Sequence, residues 1–310
     1  MNKQKIILDC DPGHDDTIAI LLAAKEETIE LLGITVIAGN QSLNDTRDNT
    51  LYICQTLDIH TPVYVGCDKP MVREQVLTTD VHGIAGFREL SRGTQGKCNK
   101  KKDAVTFMID TLLASSGDIT VVTMGPMTNL ATAIKREPKL VRKIKQIVLM
   151  GGSCGSGNIT PVAEFNIFAD AEAAQICFES GVPITMIGLD VTRQVLCDNR
   201  VIERMQKLHT KESKFFVQIM EHACKIQKEI FGIEEMCLHD PVTIAYLIDN
   251  TILKLQPMCV KIEIDDETLY GKTSCEMLAC QDGTYNAEVA VDIDVEKFWA
   301  VVELHLTNAR

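Results

Sequence analysis

The feature that most constrains the fold is an alternation of short β-branched runs with helix-patterned stretches along the amino-terminal part of the chain. Buried strands are predicted for the apolar runs at residues 6–8, 31–37, 119–123, 147–150 and 184–187. Helices are predicted for the stretches at residues 15–24, 45–57, 127–134 and 170–179. Strands and helices that alternate at this spacing indicate βαβ units, and therefore a doubly wound α/β fold with a mostly parallel central sheet.

The carboxyl-terminal part has a different pattern. Helices are predicted at residues 198–208, 214–230, 240–248 and 295–306, and strands at residues 259–264 and 287–293. The sequence contains no internal repeat and no Pro/Gly/Ser linker long enough to divide it. We therefore expect a single α/β domain over residues 1–310, with a helical segment that covers the active site.

Composition excludes several classes of function. The 310 residues carry 31 Lys and Arg against 43 Asp and Glu, a net charge of −12, which argues against binding to nucleic acid. No stretch reaches the ~20 apolar residues that cross a bilayer, and the first residues lack the apolar core of a signal peptide. None of the 12 cysteines falls in a C-x-x-C pair, and Cys54, Cys177 and Cys259 lie in apolar runs as expected for free thiols. We expect a reduced, cytoplasmic protein.

Four carboxylates follow the first predicted strand within eight residues. Asp9 and Asp11 precede a Pro-Gly turn, and Asp15 and Asp16 follow it at the start of the next helix. The turn folds these acids back toward one another, and converging carboxylates repel unless a cation neutralises them or their pKa values rise. Hard divalent ions prefer oxygen-only ligands. The pattern therefore favours a metal site over a helix cap in a solvated turn.

A further acid, Asp240, lies far along the chain, directly before the predicted helix at residues 240–248. With Pro241 at the first helical position, Asp240 can cap this helix, and that role is compatible with metal binding. His239 is carried to wherever Asp240 points. From the residues alone, a structural and a functional role both remain open for this pair.

Several sequence blocks resemble the inosine–uridine nucleoside hydrolase family, in particular its pyrimidine-preferring members. The resemblance covers essentially the whole chain, and its most specific block is the amino-terminal Asp-x-Asp-Pro-Gly-x-Asp-Asp run. The similar blocks are residues 9–16, 33–35, 38–40, 124–130, 150–152, 164–170 and 239–240. The resemblance implies an enzyme that hydrolyses the N-glycosidic bond of ribonucleosides, on a doubly wound α/β fold with one Ca²⁺ per subunit. It also implies a homodimer or homotetramer.

The resemblance assigns roles residue by residue. Asp11 matches both a calcium ligand and the general base that deprotonates a Ca²⁺-bound water. The other implied ligands are Asp16, Asp240 and the backbone carbonyl of Met124. Residues implied to bind the ribose are Asp15, Asn40, Asn158, Glu164 and Asn166. His239 matches a histidine that contacts the leaving base and, in part of the family, donates a proton to it.

These roles agree with the chemistry of the reaction. Positive charge develops on the sugar in an oxocarbenium-like transition state, and fixed carboxylates stabilise it. From the residues alone, Asn40 and Asn158 can equally be turn residues. Glu164 and Asn166 flank Phe165 on a segment that we expect to be extended, so that both side chains face one side.

The preferred base depends on three further residues. Gln227 and Phe231 are four apart on a predicted helix and can share a face, and the pyrimidine-preferring members resemble this with Gln and Tyr. Phe231 lacks the hydroxyl, so it can stack on a base but cannot relay a proton. His82 is either a loop histidine or a residue near the base. We expect a preference for uridine and cytidine, with a purine-accepting or broad-specificity enzyme as the alternative.

Two alternative hypotheses, each for a different class of protein, remain open at this point. The Asp9-x-Asp11 pair after a strand also resembles the haloacid-dehalogenase phosphatases, which use the first aspartate as nucleophile and Mg²⁺ as cofactor. Pro12 and the Asp15–Asp16 pair fit that pattern poorly. A non-catalytic nucleoside- or ribose-binding protein on the same scaffold would retain every expected ligand, so the sequence does not distinguish it from an enzyme.

Overall fold

A nine-stranded sheet lies at the centre of the computed structural model, which describes residues 3–77, 98–99, 101–281 and 283–307. The strands are, in chain order, β1 (Gln4–Cys10), β2 (Ile29–Val36), β3 (Val63–Val65), β4 (Ile119–Thr123), β5 (Ile144–Met150), β6 (Ile184–Ile187), β7 (Leu196–Cys197), β8 (Met236–Cys237), β9 (Leu253–Ile262), β10 (Thr273–Glu276) and β11 (Ala287–Ile293). Within the described residues, the order across the large sheet is β10-β9-β11-β6-β5-β4-β1-β2-β3, and β7 and β8 form a separate antiparallel pair.

The large sheet is mostly parallel. Every pairing from β11 through β6, β5, β4, β1 and β2 to β3 is parallel, whereas β9 pairs antiparallel with both β11 and β10. Strand β1 therefore lies between β4 and β2, and the loops that follow these three strands emerge side by side. This arrangement confirms the fold class predicted from the alternation of strands and helices.

Helices cover both faces of the sheet. They are α1 (His14–Lys25), α2 (Leu43–Thr56), α3 (Ala104–Ala114), α4 (Thr128–Arg136), α5 (Phe165–Ala169), α6 (Ala171–Phe178), α7 (Leu189–Thr192), α8 (Asn199–Gln206), α9 (Lys211–Phe231), α10 (Pro241–Ile248) and α11 (Val295–Thr307). Helices α1, α9, α10 and α11 pack together on one face, and α3, α4 and α6 pack on the other. Among the helices that the structure describes, none combines the length and apolar character that a membrane span requires.

Two apolar cores lie on the two faces of the sheet. Along β1, Ile6 and Leu8 belong to one core and Ile7 to the other, and all three side chains are fully buried. Because successive side chains of a strand point to opposite faces, a strand buried on both sides has an unbroken apolar sequence. The short β-branched runs of the sequence are explained by this burial on both faces.

One expectation about the cysteines is wrong. Cys259 on β9 is not a free thiol but forms a disulfide with Cys280, 21 residues further along the chain. The bond ties β9 to the segment that follows β10. The expected free thiols Cys54 and Cys177 are both free and buried. The error arose because the apolar run around Cys259 predicts burial, which a half-cystine satisfies as well as a thiol does.

Candidate active site

The expected site residues gather at the carboxyl ends of parallel strands. Asp11 follows β1, Asn40 follows β2, Met124 follows β4, and the loop after β5 leads to Asn158. These residues come together because the loops after neighbouring parallel strands open on the same edge of a sheet. A cavity of about 380 Å³ opens there, and its walls include the side chains of Asp15, Asn40, Asn158, Glu164, Asn166, Gln227, Phe231, His239 and Asp240.

The carboxylate of Asp11 is enclosed by backbone from both neighbouring strands. Its Oδ2 accepts a hydrogen bond of 2.6 Å from the backbone N–H of Asn40, while its buried Oδ1 has no hydrogen-bond partner. A Cβ added to Gly39 would lie 2.1 Å from Oδ2, and one added to Gly125 would lie 2.5 Å from Oδ1. Only glycine therefore leaves room for this carboxylate at both positions.

Three other carboxylates converge beside it. Oxygen atoms of Asp15, Asp16 and Asp240 all lie within 4.8 Å of one another, and all three residues are buried. Oδ2 of Asp16 accepts the backbone N–H of Gly13 at 2.8 Å, and its buried Oδ1 has no hydrogen-bond partner. The structure thus brings Asp15 and Asp16 of the turn after β1 next to the distant Asp240. Asp11 lies outside this group of three.

Without a cation, the negative charge of the buried carboxylates is not neutralised, and their pKa values are raised. Burial, followed by repulsion from neighbouring carboxylates, raises the pKa of Asp11 and Asp240 well above the usual range. The same two causes raise the pKa of Asp16 to about 7. A divalent cation removes this penalty, and the available donors are all oxygen atoms, two of them without partners. The residues present therefore fit a hard divalent cation.

The loop after β5 ends in a helix where we expected an extended segment. Glu164 caps α5, and its carboxylate accepts the backbone N–H groups of Asn166 at 2.8 Å and of Gly152 at 2.9 Å. The expectation that Glu164 and Asn166 flank an extended Phe165 is therefore wrong. Both side chains nevertheless reach the cavity, because one caps the helix and the other lies in its first turn. Burial raises the pKa of Glu164 to about 7, although the hydrogen bonds from backbone N–H groups lower it.

The amide of Asn166 binds the ends of two strands. Its Nδ2 donates to the backbone carbonyl of Met124 at 3.0 Å and to that of Met150 at 3.1 Å. The Met124 carbonyl, an expected metal ligand, is thus fixed in position by Asn166 and keeps a second lone pair. Asn158 lies nearby, where its Oδ1 accepts the backbone N–H of Phe165 at 2.8 Å.

His239 is held on two sides. Its backbone N–H donates to Oδ2 of Asp15 at 3.2 Å, and its ring Nδ1 lies 2.7 Å from Oγ1 of Thr192. Burial lowers the pKa of the imidazole. His239 lines the cavity beside Asp240.

The outer wall of the cavity is more exposed than its floor. Gln227 and Phe231 lie at the end of α9, which starts three residues before and ends one residue after the predicted helix. Phe231 is 50% exposed and the neighbouring Ile233 is 52% exposed, whereas Asp15 and Asp240, which form the floor of the cavity, are buried. His82 lies outside the described residues.

Sequence reasoning missed the residues that support the loop after β5. Arg193 donates to the backbone carbonyl of Gly157 at 2.6 Å and to Oγ of Ser156 at 2.8 Å. Asp190 accepts the backbone N–H of Cys154 at 2.8 Å. Both supporting residues belong to the short segment around α7, whose four-residue helix leaves no periodic pattern in the sequence.

Sequence reasoning also gave no role to His14. This residue begins α1 and stacks on His222 of α9, with ring centroids 5.3 Å apart and a distance of 3.0 Å between Nε2 and Nδ1. The contact joins the Asp-rich turn to the helix that carries the outer wall.

Comparison with known proteins identifies relatives over nearly the full length. A family model described as inosine-uridine preferring nucleoside hydrolase matches residues 6–300. A pyrimidine-specific ribonucleoside hydrolase RihB of Escherichia coli O17:K52:H18 is 46% identical over 303 residues, 98% of this chain and 97% of the relative. The solved structure of a plant nucleoside hydrolase, PpNRh1, has a TM-score of 0.90 and 27% identity, covering 98% of this chain and 99% of its own. A purine-preferring ribonucleoside hydrolase from Gardnerella vaginalis has a TM-score of 0.87 and 32% identity, with 98% and 100% coverage.

Proposed function

The chain belongs to the inosine-uridine preferring nucleoside hydrolase family, and from this membership we propose that it hydrolyses uridine and cytidine to ribose and free base. The preference for pyrimidines is supported by the 46% identity to a relative named pyrimidine-specific, against 32% to one named purine-preferring. Gln227 on the outer wall supports the same preference. Phe231 beside it offers a ring on which a base can stack.

The proposed cofactor is one Ca²⁺ per subunit. Asp11, Asp16, Asp240 and the backbone carbonyl of Met124 would hold it, and the observation that carries this proposal is the pair of buried, partnerless oxygens, Asp11 Oδ1 and Asp16 Oδ1. When bound, the ion compensates the clustered negative charge, accepts the vicinal diol of ribose and acidifies a water molecule.

Asp11 is the proposed general base. Its Oδ2 accepts the Asn40 N–H and its Oδ1 has no hydrogen-bond partner, so the carboxylate keeps lone pairs both for the cation and for a proton of the attacking water. As the bond to the base breaks, positive charge develops on the ribose ring and the surrounding carboxylates stabilise it. Because the Gly39 and Gly125 backbone encloses Asp11, this carboxylate needs little reorganisation during the reaction.

The remaining residues divide between the sugar and the base. Hydrogen bonds to the ribose hydroxyls are proposed for Asp15, Asn40, Asn158, Glu164 and Asn166. His239 is the proposed proton donor to the leaving base, with Gln227, Phe231 and His82 as further base contacts. A donor at this position contributes about 10²–10⁴-fold to the rate, because a departing pyrimidine anion is a poor leaving group.

The direct test is release of reducing sugar from uridine, cytidine and inosine, before and after exhaustive chelation. We expect the pyrimidine nucleosides to react faster than inosine, chelation to abolish turnover, and added Ca²⁺ to restore it. The variant Asp11→Asn removes the base and should lower kcat by at least about 10²-fold. Asp110→Asn, at an exposed position on α3, is the matched control and should retain full activity.

Two results would contradict the proposal. Turnover that survives exhaustive chelation refutes the role of the cation, and turnover that survives Asp11→Asn refutes the role of the base. A nucleoside-binding protein without catalysis would bind uridine in both forms and release no sugar from either.

We also propose that residues 1–310 act as one domain, in the cytoplasm, and as a homodimer or homotetramer. The match of one family model to residues 6–300 supports the single domain. Ten of the twelve cysteines are free, as in a reducing compartment, whereas the Cys259–Cys280 disulfide is the feature that points the other way. Light scattering on the purified protein tests the state of assembly.

A further inference from the structure

The ring of His239 lies within hydrogen-bond distance of a buried hydroxyl. Oγ1 of Thr192 lies 2.7 Å from the ring Nδ1, and Thr192 is fully buried. The two ring nitrogens lie on different sides of the imidazole, so a ring whose Nδ1 is bound to Thr192 turns Nε2 away from it. His239 lines the cavity, and Nε2 is therefore the nitrogen available to a bound base.

The position of Thr192 relative to His239 is fixed by the backbone around both residues. The backbone N–H of Thr192 donates to the carbonyl of Gly188 at 3.2 Å, which anchors α7. Three residues after α7 ends, the chain pairs with the segment that leads to His239. The Leu238 N–H donates to the Val195 carbonyl at 2.9 Å, and β7 pairs with β8. The hydroxyl and the imidazole are thus parts of one small hydrogen-bonded unit.

We propose that Thr192 is a positioning residue for His239, holding the ring so that Nε2 faces the base of the substrate. This inference rests on the proposed function, since it concerns the proton donor of the same site. A threonine hydroxyl both donates and accepts, so it can bind Nδ1 whether or not that nitrogen carries a proton. What the hydroxyl determines is therefore the direction of the ring, which would otherwise be free to flip and exchange its two nitrogens.

The proton transfer that depends on this orientation is balanced. The Nε2–H bond of His239 breaks and an N–H bond forms on the departing base, which keeps the electron pair of the broken N-glycosidic bond. Water supplies the hydroxyl of the ribose product, and its second proton goes to Asp11. Thr192 touches neither substrate nor water in this scheme and acts only through the ring.

The test compares two substrates that differ in their need for a proton. Uridine needs help at the leaving base, whereas 4-nitrophenyl β-D-ribofuranoside releases a stable phenolate without protonation. We expect Thr192→Val, which keeps the shape and removes the hydroxyl, to lower kcat for uridine by about tenfold or more. The same variant should hydrolyse the nitrophenyl riboside at the wild-type rate, and Thr192→Ser, which restores the hydroxyl, should recover uridine hydrolysis.

Further variants separate orientation from folding. Thr192→Ala removes the hydroxyl without the bulk of valine, so it should show the same split between substrates if Thr192→Val fails to fold. His239→Ala should show the split as well, because it removes the group that Thr192 is proposed to hold. Circular dichroism and Ca²⁺ binding confirm that each variant is folded and retains its cation site.

Two outcomes would overturn the inference. If Thr192→Val lowers turnover of both substrates equally, Thr192 supports the fold of the site and not the direction of the ring. If turnover of uridine is unchanged, the hydroxyl positions nothing that matters to the reaction. Failure of the proposed function gives a different pattern, because the wild-type protein itself would then release ribose from neither substrate, which overturns both proposals.

Discussion

Replacing Gly39 by alanine would test whether the enclosure of Asp11 matters for catalysis. The new Cβ would lie 2.1 Å from Oδ2, whereas real Cβ contacts essentially never fall below 3.0 Å. The carboxylate must therefore move by about 0.9 Å, and a misplacement of about 1 Å costs on the order of 10²-fold in rate. That factor corresponds to about 3 kcal/mol of transition-state stabilisation.

The assay is steady-state release of reducing sugar from uridine at saturating Ca²⁺, with Ca²⁺ affinity measured by calorimetry on the same samples. We expect Gly39→Ala to lower kcat by about 10²-fold and to weaken Ca²⁺ binding. Gly66→Ala is a matched control, because its Cβ would lie 2.2 Å from Oδ1 of Asn129, a comparable overlap that does not touch Asp11. It should lower stability while leaving the kcat of the folded enzyme close to wild type.

The reasoning is refuted if folded Gly39→Ala has the kcat and Ca²⁺ affinity of the wild type. It is also refuted if Gly66→Ala loses as much activity, because the effect would then come from overpacking in general and not from displacement of Asp11.

Three further predictions concern stability. Asp240→Asn should weaken Ca²⁺ binding yet raise the free energy of unfolding of the chelated protein by about 1–3 kcal/mol, because it removes a buried carboxylate that repels Asp16. Urea unfolding in the presence of chelator measures this, and equal or lower stability of the variant would contradict it. Burial raises the pKa of Glu164 to about 7, so between about pH 4.5 and 7 the folded state holds a proton that the unfolded state has lost. Glu164 alone should therefore make the free energy of unfolding fall with rising pH by up to about 1.4 kcal/mol per unit. Glu164→Gln should flatten this part of the pH profile, and an unchanged slope would show that Glu164 is not its source. The Cys259–Cys280 disulfide closes a loop of 21 residues, so its reduction should lower the free energy of unfolding by about 3 kcal/mol. Identical urea midpoints with and without reductant would contradict this prediction.

The parts of the fold that could be predicted from the sequence are those buried on both sides. Strands β4 and β6, in which every residue is buried, have the predicted bounds. Strand β11 has them as well, although its Glu288 and Asp292 are exposed. Strand β9 begins six residues before its predicted start. It contains Pro257 and exposed positions, since it pairs antiparallel near the sheet edge and lacks a continuous apolar run. Helix α3 was missed, although Asp103 caps it by accepting the N–H of Thr106 at 2.7 Å.

The candidate site was predictable where its residues are close in sequence. Of the four aspartates around the turn after β1, only the adjacent Asp15 and Asp16 belong to the group of three carboxylates, so the turn brings together fewer acids than expected. The partnership with Asp240 came from the family resemblance, because 224 positions separate it from Asp16 and no local pattern links them. The pairing of Thr192 with His239 depends on a two-residue strand pair, which is too short to leave a signal in the sequence.

The contrast between the buried floor of the cavity and its exposed outer wall has a consequence for how such an enzyme can diversify. Side chains at the mouth, such as Phe231 and Ile233, contact few neighbours and can be exchanged at small cost to folding. The acids below them are buried, and backbone N–H groups hold Asp11 and Asp16 in place. Point substitutions at the mouth can therefore change the selectivity for the nucleobase while the residues that break the N-glycosidic bond stay unchanged. Enzymes with this scaffold can thus act on different nucleosides.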